Sequence, residues 1–389
     1  MSMKIIVVGA GEVGTHLSSH LSDEGNDILL IEHDPEKAAS AQEDLDALVV
    51  QGNGASMKVL DAADRRFDLK FEYESFELGG GRYLETGETL PDETLEDLRE
   101  MDAILFGAVG HPDVAPGIVE RGVILRLRRE LDLFVNLRPV KLYPGVSSPL
   151  RDVEPADVDF VVVRENTEGL YTGTGGFSHR GTSREVATEV SVNTRFAVER
   201  CIRYAFELAA GRPEPKVTFC GKTNVLVHSH DLWDRTFGEV AADYPGVATE
   251  YANVDALCVW MVESPERFDV IVTDNMFGDI ITDLGAAIQG GLGIAAGANL
   301  NPDGVSMFEP IGGTAPDLVG TGLVSPLASI GSAAMLLDHV GRPEAGSAVE
   351  AAVAAVAGAL PSIRAGGMGI PTSEVGDRVA AMVAEGGPS

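Results

Sequence analysis

Phe268-Asp269-Val270-Ile271-Val272-Thr273-Asp274-Asn275-Met276-Phe277-Gly278-Asp279-Ile280-Ile281-Thr282-Asp283 is the stretch on which the reading of this chain turns. An apolar, strand-like run, Phe268–Thr273, opens into helical spacing. On a helix, Asp279 and Asp283 share one face, one turn apart. Two bare carboxylates at that spacing repel unless a cation or a basic partner sits between them. Oxygen-only ligands of this kind suit Mg²⁺ or Mn²⁺. The same pair also fits a solvated helix start, where acidic residues favour the dipole, so the segment alone leaves both readings open.

Working outward, Arg128 (in Leu-Arg-Arg-Glu), Arg138 (Asn-Leu-Arg-Pro) and Arg164 (Val-Val-Val-Arg-Glu) each close or follow an apolar run. Arginine is rarely buried without a partner, and its planar fork grips carboxylates bidentately. One such arginine reads as a structural ion pair. Three beside an acidic pair of metal-ligand type suggest a site for a small polyanionic acid.

The chain of 389 residues has room for two domains, and its net charge of −31 argues against nucleic-acid and anionic-membrane partners. Cys201, Cys220 and Cys258 lack Cys-x-x-Cys spacing, read as small core residues and suit a reducing cytosol. Apolar residues 5–8 run straight into a glycine loop rather than a signal peptide, and no apolar run spans a bilayer. The expectation is a cytoplasmic protein. Strands and helices alternate, which predicts an α/β architecture with open sheets. Strands are expected at Lys4–Val8, Asp27–Ile31, Ala47–Gln51, Leu69–Glu74 and Ala103–Gly107. Helices are expected at 12–24, 35–45, 56–65, after Pro91 and through the Ala- and Gly-rich residues 290–389.

From about residue 57 onward the chain resembles the metal-dependent β-decarboxylating dehydrogenases, the isopropylmalate and isocitrate dehydrogenase family. The matching segments are 78–88 (LGGGRYLETGE), 104–110 (ILFGAVG), 136–145 (NLRPVKLYPG), 163–173 (VRENTEGLYTG), 222–226 (KTNVL), the acidic segment above and 307–317 (MFEPIGGTAPD). The resemblance implies a two-domain fold with a central cleft. Residues 57–133 and 290–389 would form the cofactor domain, and 134–289 the domain for dimerisation and metal. It further implies a homodimer with shared active sites, in which the Gly/Ser/Thr-rich stretch 172–184 clasps a second subunit. An apolar helix pair near 279–297 is compatible with that interface.

By the same resemblance, Asp255, Asp279 and Asp283 are the metal ligands, Lys222 takes the substrate hydroxyl proton, and Tyr171 protonates the enol. From the residues alone, Asp255 reads equally as a helix N-cap and Tyr171 as a packed loop aromatic. A lysine desolvated near arginines and a metal has a lowered pKa. Gly312, Gly313, Thr314, Ala315, Pro316 and Asp317 match the adenosine loop, with Ser325 further on. Gly312 and Ser325 replace the family's usual His and Asn, which puts adenine affinity or pose in question. A carboxylate at Asp317 accepts from both ribose hydroxyls and repels a 2′-phosphate, so NAD is expected over NADP.

Arg128, Arg138 and Arg164 would hold the substrate. Val123, Ile124 and Leu125 could wall a branched alkyl group, which points to 3-isopropylmalate and leucine biosynthesis. Homoisocitrate, reached through Arg121, is the nearest alternative, followed by isocitrate and D-malate or tartrate.

The opening departs from the family, whose Gly-Asp-Gly-Ile-Gly-Pro-Glu loop is absent. Residues 1–56 instead resemble a partial Trk-type RCK domain, a Rossmann-like βαβαβ segment. Gly9, Gly11 and Gly14, with Glu32 closing the next strand, form a dinucleotide fingerprint and a candidate second nucleotide site. A nucleotide-binding regulatory protein on an inactive dehydrogenase scaffold is therefore the alternative of another class. His16 and His20 have metal-ligand spacing but read as a solvated face. Leu48–Gln51 followed by Gly-x-Gly copies the layout of the missing first strand, so it is expected beside Ala103–Gly107. The competing arrangement puts Lys4–Val8 there.

Overall fold

The computed structural model describes residues 4–8, 27–32, 48–51, 55–313, 315, 318 and 320–386. Strands β1 (Lys4–Val8), β2 (Asp27–Glu32) and β3 (Leu48–Gln51) precede helices α1 (Ala55–Phe67), α2 (Gly80–Thr86) and α3 (Asp92–Arg99). Next come β4 (Ala103–Leu105), a π-helical turn at Glu120–Ile124 that runs into α4 (Leu125–Glu130), β5 (Val135–Lys141) and β6 (Asp159–Glu165). The strands β7 (Gly175–Ser178) and β8 (Val186–Glu189) lead to α5 (Arg195–Ala210), β9 (Lys216–Gly221) and α6 (Ser229–Ala241). They are followed by β10 (Ala248–Asn253), α7 (Val254–Glu263), β11 (Val270–Thr273) and α8 (Asn275–Ile288). The chain closes with β12 (Ala296–Leu300), β13 (Ser306–Pro310), α9 (Leu327–His339), α10 (Pro343–Ala359) and α11 (Thr372–Glu385).

An eight-stranded sheet runs in the order β10-β9-β11-β6-β5-β12-β13-β4. Its β10-β9-β11-β6 end is parallel, β5 and β12 turn antiparallel, and β13 and β4 pair in parallel. The valine run of β6 and the Val-Ile-Val-Thr of β11 are buried along their length, as strands covered on both faces require. Helix α5 starts where the Thr194 hydroxyl accepts the Ala197 N–H at 3.2 Å. Helix α1 packs with α9, α10 and α11 around Val59, Leu337, Val349 and Val379. Gly376 permits that contact, since a Cβ there would lie 2.6 Å from the Ala55 Cβ.

The structure corrects several expectations. β1, β2 and β3 pair in parallel in that order as a separate sheet, so neither Leu48–Gln51 nor Lys4–Val8 lies beside β4. Helices 12–24 and 35–45, with His16 and His20, lie outside the described residues. Leu69–Glu74 forms no strand. The far edge of β4 pairs with no described strand, and a lone extended segment has no ladder to join. The apolar residues near 279–297 form one helix and then β12, rather than a helix pair. Strands β12 and β13 interrupt the helical reading of 290–389. Helix 56–65 is present as the longer α1, and Cys258 is half-buried rather than in the core.

Candidate active site

Asp274 follows β11 and caps α8, its Oδ1 accepting the Phe277 N–H at 2.8 Å. The cap directs the first turn of α8 at β6. Arg164, the sixth residue of β6, lies against that turn with 1% exposure. Its Nε and Nη2 donate to Asn275 Oδ1 at 3.0 and 2.7 Å, and its Nη1 forms an ion pair with Asp279. The Tyr171 hydroxyl donates to the other Asp279 oxygen at 2.7 Å, and the Arg164 guanidinium lies 5.3 Å from the Tyr171 ring centre. Tyr171 sits in a short turn between Gly169 and Gly173, both at positive φ.

Burial pushes the Asp279 carboxyl up, but Arg164, Tyr171 and Arg138 together outweigh it and hold it below the usual carboxylate range. Tyr171 moves the opposite way, raised by burial and by its hydrogen bond to Asp279. The phenol therefore keeps its proton throughout the neutral range.

Arg128 and Arg138 are also buried. Arg128 faces Glu309 at 3.5 Å, and Arg138 Nε donates to Asn136 Oδ1 at 2.6 Å. Burial pushes Arg138 down to about 9, Arg164 and Arg128 add to the push, and Glu309 opposes it. Burial lowers Arg128 as well, against the opposing charge of Glu309. A guanidinium stays charged in proteins, so this downward pressure amounts to a demand for a counter-anion. Among the described residues the three guanidiniums share Glu309 and Asp279 as their carboxylates, and Arg128 Nε is buried without a hydrogen-bond partner there.

Asp283 is exposed one turn beyond Asp279. The two carboxylates offer oxygen alone, which fits a hard divalent cation. Asp255 lies elsewhere, in the first turn of α7, where its carboxylate pairs with the Lys222 ammonium and is held below its usual range by that contact. The N-cap of α7 is Asn253, not Asp255. Among the described residues of one chain, no three acidic, His or Cys side chains converge as a metal cage. Lys222 meets Asp255 rather than the arginine cluster.

Of the expected apolar wall, Ile124 and Leu125 are half-buried at the π-helical turn, where α4 begins and re-aims the chain. Val123 is fully buried with Leu90, Leu95 and Leu98 and lines no cleft. Arg121 is exposed. Gly312, Gly313 (φ 59°) and Ala315 follow β13, whereas Thr314, Pro316 and Asp317 lie outside the described residues. Ser325 spends its hydroxyl proton on the Gly293 carbonyl at 2.7 Å. Gly9, Gly11 and Gly14 also lie outside the described residues, and Glu32 ends β2.

Residues 53–379 match the isocitrate/isopropylmalate dehydrogenase family. The chain belongs to that family. Residues 5–66 match the TrkA-N domain. The chain is 54% identical over 328 residues to a 3-isopropylmalate dehydrogenase of Corynebacterium glutamicum, covering 83% of this chain and 93% of that one. It is 50% identical over 333 residues to the 3-isopropylmalate dehydrogenase of Thermobifida fusca, covering 85% and 93%. Among solved structures, isocitrate dehydrogenase from Methylococcus capsulatus superposes with a TM-score of 0.77 at 30% identity, covering 98% of this chain and 99% of that one.

NAD and a divalent metal are cofactors that fit this isocitrate/isopropylmalate dehydrogenase family. No helix among the described residues is long and apolar enough to cross a membrane. Sequence reasoning missed the polar residues behind the arginines. Asn136 Nδ2 and Asn166 Nδ2 both donate to Asn299 Oδ1, at 2.8 and 2.9 Å, and Asn299 Nδ2 donates to Glu309 Oε1 at 2.7 Å. Asn136 lies two residues before Arg138 on the same strand face, a period-2 signal that was available in the sequence. Asn275 and His230 carried no comparable signal.

Proposed function

We propose that this chain oxidises and decarboxylates 3-isopropylmalate to 2-oxoisocaproate and CO₂ in leucine biosynthesis, reducing NAD to NADH. The surplus of buried guanidinium over carboxylate at Arg128, Arg138 and Arg164 carries this reading. A dicarboxylic acid supplies the missing anions and suits bidentate arginines. Asp279 and Asp283 would hold Mg²⁺ or Mn²⁺, together with Asp255 of a second copy. That cation supplies Lewis-acid stabilisation of the developing oxyanion. Lys222 would take the substrate hydroxyl proton, and NAD when bound would supply the acceptor for the hydride of the carbinol carbon. Once CO₂ has departed, Tyr171 gives its proton to the enol carbon.

Ile124 and Leu125 would wall the isopropyl group, Gly312–Asp317 with Ser325 would take the adenosine, and Asp317 would select NAD over NADP. Residues 57–133 with 290–389 form the cofactor lobe in this reading, and 134–289 the metal lobe. A homodimer accounts for the separation of the Lys222–Asp255 pair from Tyr171 and Asp279, since each pair would complete the site of the other copy. The exposed apolar residues Val259 and Val262 on α7, Met276 and Ile280 on α8, and Phe177 and Val186 on the exposed β7–β8 arm support that pairing.

The deciding experiment follows NADH formation with 3-isopropylmalate, homoisocitrate, isocitrate and D-malate, with and without Mn²⁺. Turnover of 3-isopropylmalate should lead and should vanish on chelation and in Asp279→Asn. Activity that survives exhaustive chelation refutes the metal assignment. The burial of Val123 removes one of the three wall residues, so faster turnover of homoisocitrate would transfer specificity to Arg121.

A further inference from the structure

We propose that His230 is a positioning residue for Lys222, a role that rests on reading Lys222 as the base. His230 is 1% exposed at the start of α6. The Lys222 backbone N–H donates to its Nδ1 at 2.9 Å, and its Nε2 lies 2.7 Å from Asp274 Oδ2. Because Nδ1 accepts a backbone proton, the ring proton sits on Nε2 and is donated to Asp274. Asp274 is also the cap of α8, the helix that carries Asp279 and Asp283. One imidazole thus joins the main chain of the lysine to the cap of the carboxylate helix.

The surroundings fix the ring. The centres of Phe219 and Phe277 lie 6.2 and 5.4 Å from the imidazole centre. Gly221 leaves room for it, since a Cβ there would lie 3.0 Å from His230 Nδ1 and 2.8 Å from the Phe219 ring. The His230 N–H donates to the Leu226 carbonyl at 3.0 Å, while the Lys222 carbonyl accepts from Val225 and Leu226 at 3.0 and 2.9 Å. Both peptide groups flanking Lys222 are therefore held, and the histidine supplies the hold on the strand side. A flexible four-carbon side chain aims its amine only as well as its Cα is placed.

Two variants separate the two ring bonds. In His230→Asn the side-chain oxygen reaches the place of Nδ1, so the bond to Lys222 survives and the bond to Asp274 is lost. In His230→Gln the amide nitrogen reaches the place of Nε2, so Asp274 keeps its donor and Lys222 loses its acceptor. Positioning predicts that His230→Gln lowers kcat by about 10- to 100-fold with little change in KM, while His230→Asn retains most of kcat. Hydrogen exchange over residues 217–226 should quicken in the Gln variant and not in the Asn variant, and thermal unfolding verifies that each variant is folded. Equal kcat in both variants with equally lowered melting temperatures, or unchanged exchange in the Gln variant, overturns the proposal. Lys222→Met tests the underlying reading separately: if that variant stays active, Lys222 is not the base, and the exchange measurement alone decides whether His230 holds its backbone.

Discussion

Replacing Gly278 with alanine tests how tightly Arg164 must be held. Within α8 an added Cβ would lie 2.4 Å from Arg164 Cγ and 2.7 Å from its Cβ and Cδ. Carbons do not approach so closely, so the arginine stem or the helix must shift. The stem has little freedom, because its guanidinium is fixed on Asn275 and Asp279 in a buried setting. Two effects on stability oppose each other. Alanine favours a helix interior over glycine by about 1 kcal/mol, while overpacking costs about 1–3 kcal/mol. The net is a loss of about 0–2 kcal/mol, and the fold survives. On the proposed role of Arg164 in holding substrate, function responds more strongly, since a displacement of about 1 Å in such a group costs on the order of 100-fold in kcat/KM. Gly238→Ala is the control, because that glycine is exposed in α6 and its Cβ would meet nothing within 4 Å. It should gain the helix term and keep its activity. The assay is the initial rate of NADH formation against substrate concentration at fixed Mn²⁺, with thermal unfolding alongside. A kcat/KM for Gly278→Ala within about twofold of the parent would refute the argument.

Two other perturbations bear on the same cluster. Tyr171→Phe removes the proposed proton donor but keeps the ring against Arg164, so kcat should fall by about 100- to 10,000-fold, while metal affinity measured by calorimetry changes little. Asp279→Asn tests the depressed carboxyl. A folded-state pKa below the unfolded value contributes stability that is present above about pH 4 and lost as pH falls through the folded value. Melting temperatures of parent and variant should therefore differ at pH 7 and converge in the acid range below pH 4. A gap that stays constant from pH 7 to pH 3 would contradict the assignment.

The strands and helices around the site were legible because their signals are local. The run Val270–Thr273 and the helical spacing of α8 announce themselves in sequence, whereas the exposed arm around 172–184 came from the family resemblance. The arginines were legible from chemistry, since a charge set beside a buried apolar run requires a partner. What stayed hidden depends on distant pairing. Leu69–Glu74 has a strand's composition, but its backbone needs a neighbour that sequence does not supply. The rank of Val123 among apolar residues says nothing about which side of the π-helical turn it occupies. His230 gains its meaning from the Lys222 N–H on one side of its ring and from Asp274, 44 positions later, on the other.

The antiparallel seam of β5 and β12 sets the mechanics of the eight-stranded sheet. Leu137 faces Ala298, Asn136 faces Asn299 and Val135 faces Leu300 across it, so the β10 and β4 ends of the sheet are joined by backbone hydrogen bonds and not by a tether. Relative movement of the two ends must then come from torsion spread along the strands, as in a leaf spring. Such a joint allows small, restoring excursions and resists wide opening. Denaturant should also find no weak link between the ends, and both should melt in a single cooperative transition.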